Sequence, residues 1–207
     1  MAKRIRAPWW YRIAVTLVVL LALVVAGVFA WFYWWTPRQN THQADAAERD
    51  YFANCQSIDP GFDVRRIGLM QLPGSQTWWP VLQLAADDGQ ASNLIWYPTT
   101  ALPGQLGNMV VVGQRLVAGG PFSNILDLNQ GDKVIVETCS MRYTYTVVVA
   151  PRDLTVQPGD TWVMDPVPGE QGVMPTDAYL TLIANQDITP STDRAVGFAK
   201  LTSSKPQ

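Results

Sequence analysis

Residues 13–35 run for 23 positions without a charged side chain, and no other feature constrains this chain as much. Most of the run is Val, Leu and Ala. A helix rises ~1.5 Å per residue, so the run would be about 35 Å long and could cross a hydrocarbon layer of roughly 30 Å with some tilt. Lys3, Arg4, Arg6 and Arg12 precede it, and the first acidic residue is Asp45. That asymmetry predicts a cytoplasmic N-terminus and an extracytoplasmic C-terminal part in a cell membrane. Trp9, Trp10 and Tyr11 at one end, and Trp31, Phe32, Tyr33, Trp34 and Trp35 at the other, fit two interfacial aromatic belts. The competing reading is a cleaved signal peptide, with Val28 and Ala30 before the cut. Signal peptides carry shorter apolar regions of about 7–15 residues, and five aromatics directly after a cut would be unusual. The anchor is the reading adopted.

Beyond the basic tail, 11 Lys and Arg stand against 17 Asp and Glu, a net charge of −6. An acidic domain without a basic stripe argues against nucleic acid, and against anionic lipid headgroups, as partners. The chain has two cysteines, Cys55 and Cys139, with no Cys-x-x-Cys and no Cys/His cluster. A structural zinc site is thereby excluded, and no metal or other cofactor is expected. In an oxidising compartment the two cysteines could pair, closing a long loop and stabilising the fold by a few kcal/mol. Two unconnected buried thiols are the alternative, and the sequence leaves both open.

The chain divides into a basic tail (1–12), a transmembrane helix (13–35), a polar stalk (36–56) and a β-rich domain (57–207). The stalk opens on the turn dipeptide Thr36-Pro37, and residues 43–56 could form a short helix leading into the domain. After it the helical period disappears. Short apolar runs recur between Gly and Pro at 64–72, 79–84, 109–113, 133–137, 143–150, 179–184 and 196–201. The runs 133–137 and 143–150, joined by Thr138-Cys139-Ser140-Met141-Arg142, form the best hairpin candidate. Many short strands without a long amphipathic helix predict a closed or nearly closed β-barrel.

One stretch is more specific. Tyr97-Pro98-Thr99-Thr100-Ala101-Leu102-Pro103-Gly104-Gln105-Leu106-Gly107-Asn108 leads into Met109-Val110-Val111-Val112-Gly113-Gln114-Arg115. It resembles the sortase family, in particular the class E sortases of actinobacteria, which carry Tyr-Pro-x-Thr-Ala-x-Pro-Gly-x-x-Gly-Asn followed by a strand ending in Gly-His-Arg. Pro121-Phe122, Leu126 to Asp132, Tyr143-Thr144-Tyr145 and Leu180-Thr181-Leu182 continue the likeness in family order, from about residue 64 to 201. The resemblance implies an all-β, sortase-like barrel on one N-terminal transmembrane helix.

It also implies a chemistry that these residues do not carry. In the family a cysteine thiolate attacks the Thr–Gly bond of a sorting signal, a histidine acts as acid and base, and an arginine stabilises the oxyanion or positions substrate. By motif and spacing, the histidine position falls on Gln114, the cysteine position on Asn185 and the arginine position on Arg194. Amides exchange no proton near neutral pH and form no thioacyl intermediate. The one histidine of the chain is His42, in the stalk; Cys139 belongs to the hairpin turn and Cys55 precedes the barrel. The expected function is therefore a catalytically inactive, membrane-anchored subunit that binds an envelope protein or peptide, or assembles a membrane complex. Two rivals are a cysteine-independent transpeptidase or hydrolase using Arg194, and a structural accessory bound through its helix.

Gln114 and Asn185 are expected to face each other across the former site, with Arg194 either lining a groove there or carrying a surface charge. Trp96 reads as a packing residue. Trp78-Trp79 reads as core or as a contact with membrane or partner. Asp87-Asp88, in a Gly-containing loop, reads as a solvated turn rather than a hydrolase carboxylate pair.

Overall fold

In a computed structural model the chain is described at residues 9–54, 66–83, 93–116, 119–187 and 191–207. It begins as one helical rod: α1 (Trp9–Ala30), a π-helical turn (Trp31–Trp35) and α2 (Thr36–Asn54). The apolar part of this rod is long enough to cross a membrane, and none of it is buried against the rest of the chain. The aromatic turn stacks on itself, Phe29 on Tyr33 at 5.2 Å and Trp31 on Trp35 at 5.6 Å between ring centroids.

The expected stalk is thus helical from Thr36 to Asn54, and not only from residue 43. Thr36-Pro37 does not turn the chain. A proline donates no hydrogen bond to the carbonyl four residues back and its ring crowds that carbonyl, and a π turn widens the helix at that point. Nor does α2 stand free as a spacer. Ala44 and Tyr51, two turns apart on one face, are each 1% exposed. Arg66 donates to the Ala47 carbonyl at 3.3 Å and to the Asp50 carboxylate at 3.1 Å, tying α2 to the barrel. Burial here, with Asp45 and Glu137 nearby, pushes the Glu48 carboxyl above its ordinary value.

The barrel strands are β1 (Arg66–Gln71), β2 (Trp79–Gln83), β3 (Leu94–Trp96), β4 (Gly107–Val112), β5 (Lys133–Glu137), β6 (Met141–Val149), β7 (Thr155–Val156), β8 (Ala178–Asn185) and β9 (Arg194–Pro206). Their order is β6-β5-β1-β2-β3-β4-β8-β9-β7, and a further β6–β9 pairing closes eight of them into a ring with β7 outside it. β2–β3 and β4–β8 run parallel; the remaining pairs are antiparallel. Closure leaves the ring no free edge. The hairpin expected over 133–150 is β5–β6, with Cys139 exposed in its turn.

Strand alternation fills the core. On β6 Tyr145 and Val147 point inward while Thr144, Thr146 and Val148 point out. β4 departs from alternation: Met109, Val110 and Val111 are all fully buried. Its outer face is covered by the segment around a 3-10 turn, Thr161–Met164, whose Val163 carbonyl accepts from the Asn108 side chain at 3.0 Å.

Candidate functional site

The parallel register of β4 and β8 reaches Val112↔Ile183, and the Gly113 N–H continues it with a bond to the Ile183 carbonyl at 3.1 Å. One residue later, Gln114 leaves β4 beside the end of β8, where Asn185 pairs in register with Arg194 of β9. The three positions singled out in the sequence therefore come together at one rim of the barrel. Gln114 is exposed; Asn185 and Arg194 are half-buried.

Backbone requirements hold this rim in place. A Cβ at Gly113 would lie 2.5 Å from the Phe122 ring and 2.7 Å from Leu94, so no other residue fits without moving the core. Phe122 donates its N–H to the Gln114 carbonyl at 3.3 Å, folding the loop after β4 back on itself. Arg115 contributes most: its Nε donates to the Asn185 carbonyl at 2.7 Å and its Nη2 to the Gln186 carbonyl at 2.6 Å. These are short, charge-assisted bonds, and they fix the end of β8 against the end of β4.

Arg194 turns toward its own loop, Nη1 donating to the carbonyls of Ser191 at 3.2 Å and Asp193 at 3.0 Å. Nε and Nη2 have no hydrogen-bond partner among the described residues. Beside it Gln157 donates to Asp193 at 2.5 Å, just beyond Val156, which pairs with Arg194. Among the described residues neither the Gln114 nor the Asn185 side-chain amide makes a hydrogen bond. Such a rim can hydrogen-bond to peptide groups and attract an anion. None of Gln114, Asn185 and Arg194 is itself a general base or a thiolate.

The remaining candidates are spread over the fold. His42 is exposed on α2. Cys139 is disulfide-bonded, which leaves it no thiol; Cys55, the other cysteine of the sequence, lies outside the described residues. The Tyr51 hydroxyl sits 3.5 Å from the Cys139 sulfur. Asp87-Asp88 also lies outside the described residues. Trp96 is a core residue, 6% exposed, with its indole N–H donating to the Ala101 carbonyl at 3.0 Å. Trp79 is buried, and Trp78 lies under the Arg142 guanidinium at 5.8 Å. Among the described residues no group of three or more His, Cys, Asp or Glu could hold a metal ion.

Sequence reasoning missed Arg115. Its signal was present, since the third residue of the Gly-His-Arg motif survives in Gly113-Gln114-Arg115, but attention fell on the substituted position beside it.

A profile of the Sortase domain matches residues 70–202. Sortase SrtE1 of Streptomyces coelicolor is 27% identical over 211 residues, an alignment taking in 95% of this chain and 57% of that protein. The chain thus spans a little over half the length of this curated relative. The structure of sortase E from Streptomyces avermitilis is 30% identical, superposes with a TM-score of 0.59, and covers 69% of this chain and 91% of its own. The SrtA sortase of Actinomyces oris is 25% identical with a TM-score of 0.62, covering 72% of this chain and 86% of its own.

Proposed function

The chain belongs to the sortase family, and from that premise we propose that it is a member without transpeptidase chemistry, a membrane-tethered subunit that binds an envelope protein or peptide at the rim of its barrel. One observation carries this reading. Asn185 pairs with Arg194, and Gln114 follows two residues after the last β4–β8 pair, so the three positions where the resemblance expects cysteine, arginine and histidine fall at one end of the barrel and read Asn, Arg and Gln. A transpeptidase of this kind needs a thiolate to attack the scissile carbonyl and a proton carrier for the leaving amine. Neither amide supplies either, Cys139 is already oxidised, and the one histidine lies on α2.

What remains suits binding. Among the described residues Arg194 spends only Nη1 on its own loop, and the two amides offer donors and acceptors to an extended peptide. The rod of α1 and α2 would place this rim outside a membrane, with the N-terminal tail in the cytoplasm.

The test is turnover by the full-length protein in detergent. A fluorogenic sorting-signal peptide containing a Thr–Gly bond is incubated with the chain and an amine acceptor. The expected result is no cleavage and no covalent adduct by mass spectrometry. Cleavage above the rate of an Arg194→Ala control overturns the proposal in favour of cysteine-independent catalysis. Parallel pull-downs from native envelope should yield a partner that Arg194→Ala loses. A partner that persists after deletion of residues 56–207 would move the binding to the helix.

A further inference from the structure

The fold gathers cations that the sequence scatters. Lys133, Arg142 and Lys205 are 9 and then 63 residues apart along the chain, yet they share the outer face of β5, β6 and β9. Register sets Lys133 opposite Thr146, and Arg142 opposite both Glu137 and Lys205. Together with Ile135 and the hydroxyls between them, they line a cleft of about 500 Å³, within the range of small-ligand sites.

The charges on this face do not cancel. Glu137 is its one acid among the lining strands, buried at 1% and already bonded by Arg142 Nε. Among the described residues Lys133 and Lys205 make no ion pair, whereas Lys200, also on β9, is held by Asp177 at 2.9 Å. A chain of net charge −6 beyond its basic tail thus presents a local positive cleft. Its hydroxyls are partly uncommitted. Thr146 and Thr202 share a hydrogen bond at 3.0 Å, and Thr202 also bonds to the Thr144 carbonyl at 3.1 Å. The hydroxyls of Thr144 and Ser203 have no partner among the described residues.

We propose that this cleft binds a segment of an anionic, hydroxyl-rich polymer: a phosphodiester-linked polyol chain. The spacing selects a chain over a single phosphate. Thr146, opposite Lys133, and Arg142, opposite Lys205, are four residues apart on β6, about 13 Å at ~3.3 Å per residue. Two cationic rows at that separation, with hydroxyls between, complement charges repeating along a strand with polar groups between them. The site is distinct from the Gln114–Asn185–Arg194 rim. Arg194 and Thr202 are eight residues apart on β9, roughly 25 Å along the strand.

The probe is a poly(glycerol phosphate) oligomer titrated against the full-length protein in detergent micelles. Binding is expected, weakening steeply as salt rises because cations meet phosphates. Lys133→Gln and Lys205→Gln, both at exposed positions, should each lower affinity about tenfold, a change of ~1.4 kcal/mol. The double variant Thr144→Ala/Ser203→Ala should lower it severalfold at unchanged thermal midpoint. No binding, or equal binding by the lysine variants, overturns the proposal. Equally tight binding of polyglutamate, which has charge without hydroxyls, would reduce the cleft to a charged surface. Binding only to phosphatidylglycerol vesicles would make it a lipid contact; either result overturns the polymer assignment.

Discussion

Two asparagines mark the two ends of the β4–β8 pairing, and they live under opposite physical conditions. Asn108, at the start of β4, is 2% exposed. Its amide donates to the carbonyls of Val163 at 3.0 Å and Asp165 at 3.1 Å, and its oxygen accepts from the Thr181 hydroxyl at 2.7 Å. Asn185, at the end of β8, is half-buried, and its side chain bonds to nothing among the described residues. The first asparagine is part of the fold, because buried polar groups without partners are costly. The second sits on a rim built by backbone and Arg115, so its identity can change without a structural penalty. That difference shows how a sortase frame can stand whichever side chain occupies the Asn185 position.

The sharpest way to break the comparison is Asn108→Leu. It removes both amide donations, to the carbonyls of Val163 and Asp165, and leaves the buried Thr181 hydroxyl with only the longer bond to the Val163 carbonyl at 3.3 Å. A loss of about 3–4 kcal/mol is expected in denaturant unfolding. A loss under ~1 kcal/mol would mean that the network is dispensable.

Much of this was legible in the sequence, and the reasons are local. The runs at 133–137 and 143–150 became β5 and β6 because alternation and a polar turn agree there. β3 was missed: Leu94–Trp96 is three residues long, too short for any period, and exists through pairing with β2 and β4. α2 was read as a stalk because its exposed face is polar and its buried face is small, needing only Ala44 and Tyr51 to dock. At the rim, Gln114, Asn185 and Arg194 could be named from motif spacing. The motif marks Arg115 as well, but nothing in the spacing points to the carbonyls it clamps, 70 and 71 residues away.

A second test sits in the loop that feeds the Asn108 end. The Gly104 N–H donates to the Tyr145 hydroxyl at 2.8 Å, inside the barrel. Burial pushes the Tyr145 pKa up to about 12, against a smaller opposing effect of that bond. Above the ordinary tyrosine value of ~10 the unfolded chain releases this proton while the folded chain keeps it, so stability falls as pH rises from about 10 to 12. The expected decline is about 2 kcal/mol across that window, read from unfolding midpoints. Tyr145→Phe should remove that tyrosine's share of the slope while lowering stability near neutral pH, because the Gly104 N–H loses its acceptor.

At the rim end, Arg115→Met removes both clamping bonds while keeping an unbranched side chain. The carbonyls of Asn185 and Gln186 are partly accessible to water, so the expected cost is about 1–2 kcal/mol, smaller than at Asn108. Arg115→Lys can restore only one of the two bonds and should fall between. Equal stability of all three proteins would show that β8 needs no clamp.

The smallest effect bears most directly on function. Asn185→Ala and Gln114→Ala remove side chains that bond to nothing among the described residues, so each should change stability by less than ~0.5 kcal/mol. If instead either costs more than ~1 kcal/mol, the rim amides are structural and the contrast with Asn108 fails. Should both be neutral to folding yet weaken capture of an envelope partner, the rim has been separated from the frame that carries it. Asn185→Cys sharpens the point further. A thiol there would sit half-buried at the end of β8, across the register from Arg194. A nearby guanidinium favours the thiolate, so alkylation by iodoacetamide should be faster at neutral pH than for an ordinary exposed cysteine, and Arg194→Ala should slow it. A rate indifferent to Arg194 would mean that the guanidinium stays committed to its own loop and does not serve the rim.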